Sequence, residues 1–177
     1  MPSGGRTRLV HEGAEKGLVI AVQVSMQTPL VLPLDAAEAM LDRVGGKGAS
    51  LSRLAAAELP VPAGFHLTTE TYRRFVAAND LQAAIETIVF EMPADDPIAV
   101  EQAVAAIRER FKRGTIPDDI AAAIRQAYRD LVPGEPAVAV RSSATAEDLP
   151  ELSFAGQQET FLNVRGEAAL LEAVRRC

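Results

Sequence analysis

Apolar positions recur at helical spacing through most of the chain and at strand spacing in a few short runs. Val31 to Leu34 reads as a short strand, and Asp35 to Leu41 as a brief helix with Asp35 at its N-cap. From Ala49 the sequence turns helical, with Leu51, Leu54 and Ala55 on one side and Glu58-Leu59-Pro60 as the stop. Val61 to Leu67 reads as a turn into a strand. Thr68 or Thr69 then caps a helix through about Ala78 that turns Tyr72, Phe75 and Val76 inward. Asn79-Asp80 breaks it, and a further helix ends before Pro93. Pro97 to Lys112 is the clearest amphipathic stretch, with Val100, Val104, Ile107 and Phe111 as its stripe. Pro117-Asp118-Asp119 opens another helix, whose inner stripe is Ile120, Ile124, Ala127 and Leu131. Pro133-Gly134-Glu135-Pro136 stops it. Ala137 to Arg141 and Gln158 to Val164 read as two strands flanking an acidic loop. Gly166 to Arg176 is helical, with Leu170, Leu171 and Val174 as its apolar face.

The organised pattern begins at Pro29. Residues 1–28 are expected to be an N-terminal extension, with Met26 as the natural first residue. The chain stops inside its last helix with neither a C-cap glycine nor a polar tail, so residues 29–177 are expected to be part of a domain, from a truncated or split product.

Composition narrows the class. The 177 residues are 48% hydrophobic and 24% charged, ordinary values for a globular domain. Tryptophan is absent and aromatics make up 5%, so the core must be aliphatic. A net charge of −6 argues against a nucleic-acid scaffold, which needs a basic face, but leaves room for one bound nucleotide. The single cysteine, Cys177, rules out a disulfide framework and points to a reducing cytoplasm. No apolar run reaches the length of a membrane span, and Gly17 to Val24 is too short for a signal peptide.

Two stretches carry chemistry. In Gly45-Gly46-Lys47-Gly48, small residues allow close backbone approach, a helix follows directly, and Lys47 supplies a point charge for phosphate. The spacing is not that of a Walker loop, and a glycine-rich turn with a solvated lysine fits the same residues. The second stretch runs from Ala137 to Val164. Val138 and Val140 share one strand face, Ala139 and Arg141 the other. Arg141 ends the strand with a planar fork suited to phosphate, and Ser142 and Ser143 add hydroxyls. An ion pair of Arg141 with Glu147 or Asp148 is the competing reading. Gly156 either lets the backbone pass close to a nucleotide or makes a turn. Thr160 either donates to phosphate or ribose or is a surface strand residue. Glu147 and Asp148 read as solvated acids rather than Mg²⁺ ligands, and His66 as a satisfied structural histidine. No Ser-His-Asp or Cys-His spacing stands out, so no residue is assigned a catalytic or metal-binding role.

Three segments carry a resemblance: DRVGGKGASLSRL, LPVPAGFHLTTETYRRF and VAVRSSATAEDLPELSFAGQQETFLNV. Together they resemble the N-terminal ATP-binding domain of the phosphoenolpyruvate synthase, pyruvate phosphate dikinase and rifampicin phosphotransferase family. The resemblance covers about residues 29 to 177. It implies an α+β fold, the first part of an ATP-grasp domain whose two subdomains clamp ATP. It implies transfer of the β-phosphoryl of ATP to a histidine on a separate carrier domain, leaving AMP and phosphate. The phosphohistidine then serves pyruvate or rifampicin. By motif match, Lys47 holds ATP phosphates, Arg141 binds phosphate, and Gly156 and Thr160 contact the nucleotide. Mg²⁺ ligands, carrier histidine and acceptor site are expected on segments beyond this chain. Gly48 and Leu152 look more like the rifampicin enzymes, without deciding the acceptor. A non-catalytic remnant or partner-binding fragment is the alternative. The RSSATAED stretch speaks against an ATP-grasp carboxylate ligase.

Overall fold

In the computed structural model, residues 28–93, 95–145 and 160–177 are described. The order is β1 (Val31–Pro33), α1 (Leu41–Ala56), β2 (Phe65–Leu67), α2 (Thr69–Ala78), α3 (Leu81–Glu91), α4 (Pro97–Arg113), α5 (Asp118–Leu131), β3 (Val138–Arg141), β4 (Thr160–Val164) and α6 (Glu167–Arg176). Among the described residues this is an α+β arrangement with two small antiparallel pairs, β1 with β2 and β3 with β4.

The core centres on α5. Ile120, Ile124 and Tyr128 lie one turn apart and are almost wholly buried, and Leu170 of α6 joins them. Around this group pack Phe65 and Leu67 of β2, Phe75 of α2, Val138 and Val140 of β3, and Val164 of β4. One helix thus ties both strand pairs to a shared interior. Each isoleucine adds about 1.5–3 kcal/mol by leaving water. A smaller cluster of Leu32, Ala39, Val44 and Ala49 fastens β1 to α1.

Several boundaries fall where patterning puts them. Thr68 precedes α2, Pro93 follows α3, and Asp96 caps α4 by accepting from the Ile98 and Ala99 amides at 2.9 and 3.3 Å. The differences are instructive. Residues 35–40 form successive turns rather than a helix, closed by Ala36 N–H to Pro33 O (3.1 Å) and Ala39 N–H to Ala36 O (3.0 Å). These turns press Ala39 into the smaller cluster, and α1 begins only at Leu41. Thr68 does not cap α2 through its side chain; its hydroxyl donates to Pro29 O at 2.7 Å. On α2, Thr71 is buried and donates to Leu30 O at 2.6 Å, whereas Tyr72 lies largely exposed and stacks on Phe111 of α4. On α4, Ala103 is the buried residue and Val104 faces outward. Tyr128 replaces Ala127 at the centre of the α5 stripe, because its hydroxyl finds partners inside: it donates to Pro136 O at 2.6 Å and accepts from Gly166 N–H at 3.0 Å.

Candidate functional site

Two glycines decide the shape of α1. Gly45 interrupts the helix with φ 72° and ψ 175°, a conformation that a side chain would strain. The helix restarts after it, so Gly46, Lys47 and Gly48 form a fresh N-terminal turn. Such a turn has amide hydrogens without helical partners, and two of them are satisfied from the far end of the chain. Gly46 N–H donates to Ala144 O at 3.0 Å, and Gly48 N–H donates to Ser143 Oγ at 3.0 Å. Ser143 therefore does for this turn what an N-cap side chain does locally, and Gly45 leaves the room for it. A Cβ on Gly45 would stand 2.4 Å from Ser143 Oγ and 2.6 Å from the Ser143 backbone.

Gly48 is packed from below. A Cβ there would meet Val44 Cβ at 2.9 Å and His66 Nδ1 at 3.4 Å. One turn on, Ser52 Oγ donates to Gly48 O at 3.2 Å and lies 2.8 Å from His66 Nε2. Ser52 and His66 are both buried, and β2 holds His66 opposite Leu32 of β1. Burial pushes the His66 imidazole below its ordinary pKa, and a backbone hydrogen bond at Leu34 opposes that shift. His66 is thus a satisfied interior histidine, as its apolar neighbours in the sequence indicate.

The second motif arrives on β3. Val138 and Val140 face the core, while Ala139 and Arg141 are exposed. Arg141 stands directly across from Thr160 at the start of β4, which is also exposed. Between Val138 and Val140 the register shifts, because β4 holds one extra residue and Asn163 adopts φ 56°. The Arg141–Thr160 pair stands at the end of the ribbon where the chain leaves β3 and enters β4.

The four residues singled out from sequence are placed as follows. Lys47 is half-buried and sits between the two amides that dock on Ser143 and Ala144. Arg141 is two residues before Ser143, and Thr160 is its cross-strand partner. Gly156 lies outside the described residues, as do Glu147 and Asp148, the alternative partners of Arg141. The glycine-lysine turn and the Arg-Ser-Ser strand end are therefore one structural unit. A simple cradle of free glycine amides is not what forms, since Gly46 and Gly48 already donate to protein oxygens. Ser142 completes the unit: its Oγ is buried and without a hydrogen-bond partner, among the described residues the one such side-chain atom.

Two participants escape the sequence reading. Ser143 registers there only as a hydroxyl donor, yet it acts as an acceptor that caps a distant helix. Ser52 leaves a trace in its spacing, one turn after Gly48, where a helical serine hydroxyl reaches back to a carbonyl.

Comparison with known proteins places this unit. The family model for the pyruvate phosphate dikinase AMP/ATP-binding domain matches residues 41–177. A phosphoenolpyruvate synthase of Aeropyrum pernix is 47% identical over 156 residues, which cover 85% of this chain and 19% of that protein. A rifampicin phosphotransferase of Streptomyces sviceus is 49% identical over 143 residues, 79% of this chain and 16% of that protein. A probable phosphoenolpyruvate synthase of Methanocaldococcus jannaschii is 43% identical over 141 residues, 77% of this chain and 12% of that protein. The chain thus spans less than a fifth of the length of these relatives. Within that span, the chain belongs to the pyruvate phosphate dikinase AMP/ATP-binding domain family.

Proposed function

We propose that the chain is the ATP-binding portion of a dikinase-type phosphotransferase, and that residues 29–177 are the first part of an ATP-grasp domain. Lys47 and Arg141 neutralise the phosphates, and Gly156 and Thr160 contact the nucleotide. The observation that carries this reading is the docking of the Gly46–Gly48 turn onto Ser143 and Ala144. It holds two cation-bearing backbone segments together, and one of them ends in the exposed Arg141–Thr160 pair. The partnerless hydroxyl of Ser142 fits the same chemistry, because a phosphate oxygen is an acceptor for it. Phosphoryl transfer depends mainly on positioning and charge neutralisation, the two things these residues supply.

In this reading the β-phosphoryl of ATP passes to a histidine of a carrier domain outside the chain, releasing AMP and phosphate. The phosphohistidine then serves pyruvate or an antibiotic such as rifampicin, a reading supported by relatives named phosphoenolpyruvate synthase and rifampicin phosphotransferase. Mg²⁺ accompanies the nucleotide on ligands outside this chain. Among the described residues no three His, Cys, Asp or Glu side chains converge. A cytoplasmic setting fits the single cysteine.

Titration calorimetry of ATP against the wild-type chain, Lys47→Ala and Arg141→Ala tests the reading. Loss of one charge-assisted phosphate contact weakens binding by about tenfold or more. Equal affinity of all three proteins would overturn the site assignment and favour a remnant or partner-binding fragment.

A further inference from the structure

The Gly48 peptide groups are held from both sides. Ser143 accepts the amide hydrogen at 3.0 Å, and the Ser52 hydroxyl donates to the carbonyl at 3.2 Å. The same Ser52 Oγ lies 2.8 Å from His66 Nε2, within hydrogen-bond distance, with the donor set by the imidazole tautomer. The result is a chain of bonds from His66 through Ser52 to the Gly48 carbonyl, leading to the turn that carries Lys47. Both Ser52 and His66 are more than nine-tenths buried, so water does not compete for these bonds. His66 rests on β2, paired with Leu32 of β1, and so connects the turn to the strand pair that packs on α5.

We propose that His66 is a positioning residue: acting through Ser52, it fixes the Gly46–Gly48 turn and thereby sets the affinity of Lys47 for the phosphates of a nucleotide. The ligand half of this statement rests on the function proposed above, and the turn-fixing half stands without it.

The test combines ATP calorimetry with amide hydrogen exchange on the nucleotide-free chain, for Ser52→Ala, His66→Leu, His66→Gln and the Ser52→Ala/His66→Leu double variant. Ser52→Ala and His66→Leu are expected to weaken ATP binding by about fivefold each, the scale of one neutral hydrogen bond. The double variant is expected to match Ser52→Ala alone, because His66 acts through that hydroxyl. His66→Gln keeps an amide that can donate or accept and should restore affinity to within about twofold of wild type. In the Ser52→Ala protein the Gly48 amide should exchange about tenfold faster while Ile124 in α5 is unchanged, a local loosening that general destabilisation does not produce.

Wild-type affinity and wild-type Gly48 exchange in Ser52→Ala would overturn the proposal, as would additive effects in the double variant. If His66→Leu does not fold, Ser52→Ala and His66→Gln decide the matter. Lys47→Ala separates the two readings. If it leaves ATP affinity unchanged, the assignment of Lys47 to the phosphates fails and Gly48 exchange alone judges the positioning role. If it weakens binding while Ser52→Ala does not, only the positioning role fails.

Discussion

The Ser143 hydroxyl oxygen lies 3.0 Å from the Gly48 amide nitrogen and accepts its hydrogen, 95 positions away in sequence. This bond replaces the side-chain cap that Gly45 does not have. Ser143→Ala leaves the Gly48 N–H without its partner at a part-buried position and should cost about 1 kcal/mol. Ser142→Ala is the control. Its hydroxyl is buried and bonds no described residue, so its removal should cost no stability. Urea unfolding of the two variants checks the contrast. Equal losses would mean that Ser143 does not cap the turn.

Gly45→Ala should be more damaging than Ser143→Ala. At φ 72° the backbone already disfavours a side chain, and the new Cβ would sit 2.6 Å from the Ser143 backbone. A loss of at least about 2 kcal/mol is expected, seen as a lower Tm. Gly45→Ala/Ser143→Gly should not recover it, because the obstructing Ser143 carbon and oxygen belong to the main chain. Recovery would place the clash in the hydroxyl alone.

These two contacts mark the limit of what patterning reveals. The helices from α2 to α6 were legible because their apolar residues repeat at the helical period and their ends carry proline, glycine or Asp. The β3 face assignment was legible because side chains alternate, and Arg141 falls outward as that alternation requires. The helical start at Leu41 was not, since three glycines in four positions hide a helix whose restart is stabilised by a distant loop. Tyr72 misleads because an aromatic on an inner stripe finds a ring to stack on at the surface. Of the candidate site, the two stretches that dock on each other were readable, each singled out by its own residue types. The docking bonds were not, because a serine written as a phosphate donor serves as an acceptor for a backbone amide.

Tyr128→Phe tests the link between the core helix and the second strand pair. The hydroxyl donates to Pro136 O just before β3 and accepts from Gly166 N–H just after β4. Removing it leaves two part-buried backbone groups unpaired while the ring stays in place. The expected cost is about 1–3 kcal/mol. The urea midpoint should fall with an unchanged slope, since the surface exposed on unfolding is the same. A midpoint equal to wild type would show that water replaces both bonds.

Burial of His66 makes stability depend on pH in a defined direction. Its folded-state pKa is lowered, chiefly by burial, from an unfolded value of about 6.5. Below that value the unfolded chain binds the proton more readily than the folded one. The stability associated with neutral His66 is therefore fully present above about pH 6.5 and declines as pH falls through the folded-state pKa. Other groups titrate over the same range, so the informative quantity is the difference between wild type and His66→Gln, which has no ionisable group at this position. Urea unfolding of both proteins from pH 7.5 to pH 5 should show a constant difference above about pH 6.5. Below it, wild type should lose stability faster than His66→Gln. Parallel curves across the range would show that the buried imidazole gains its proton as readily folded as unfolded.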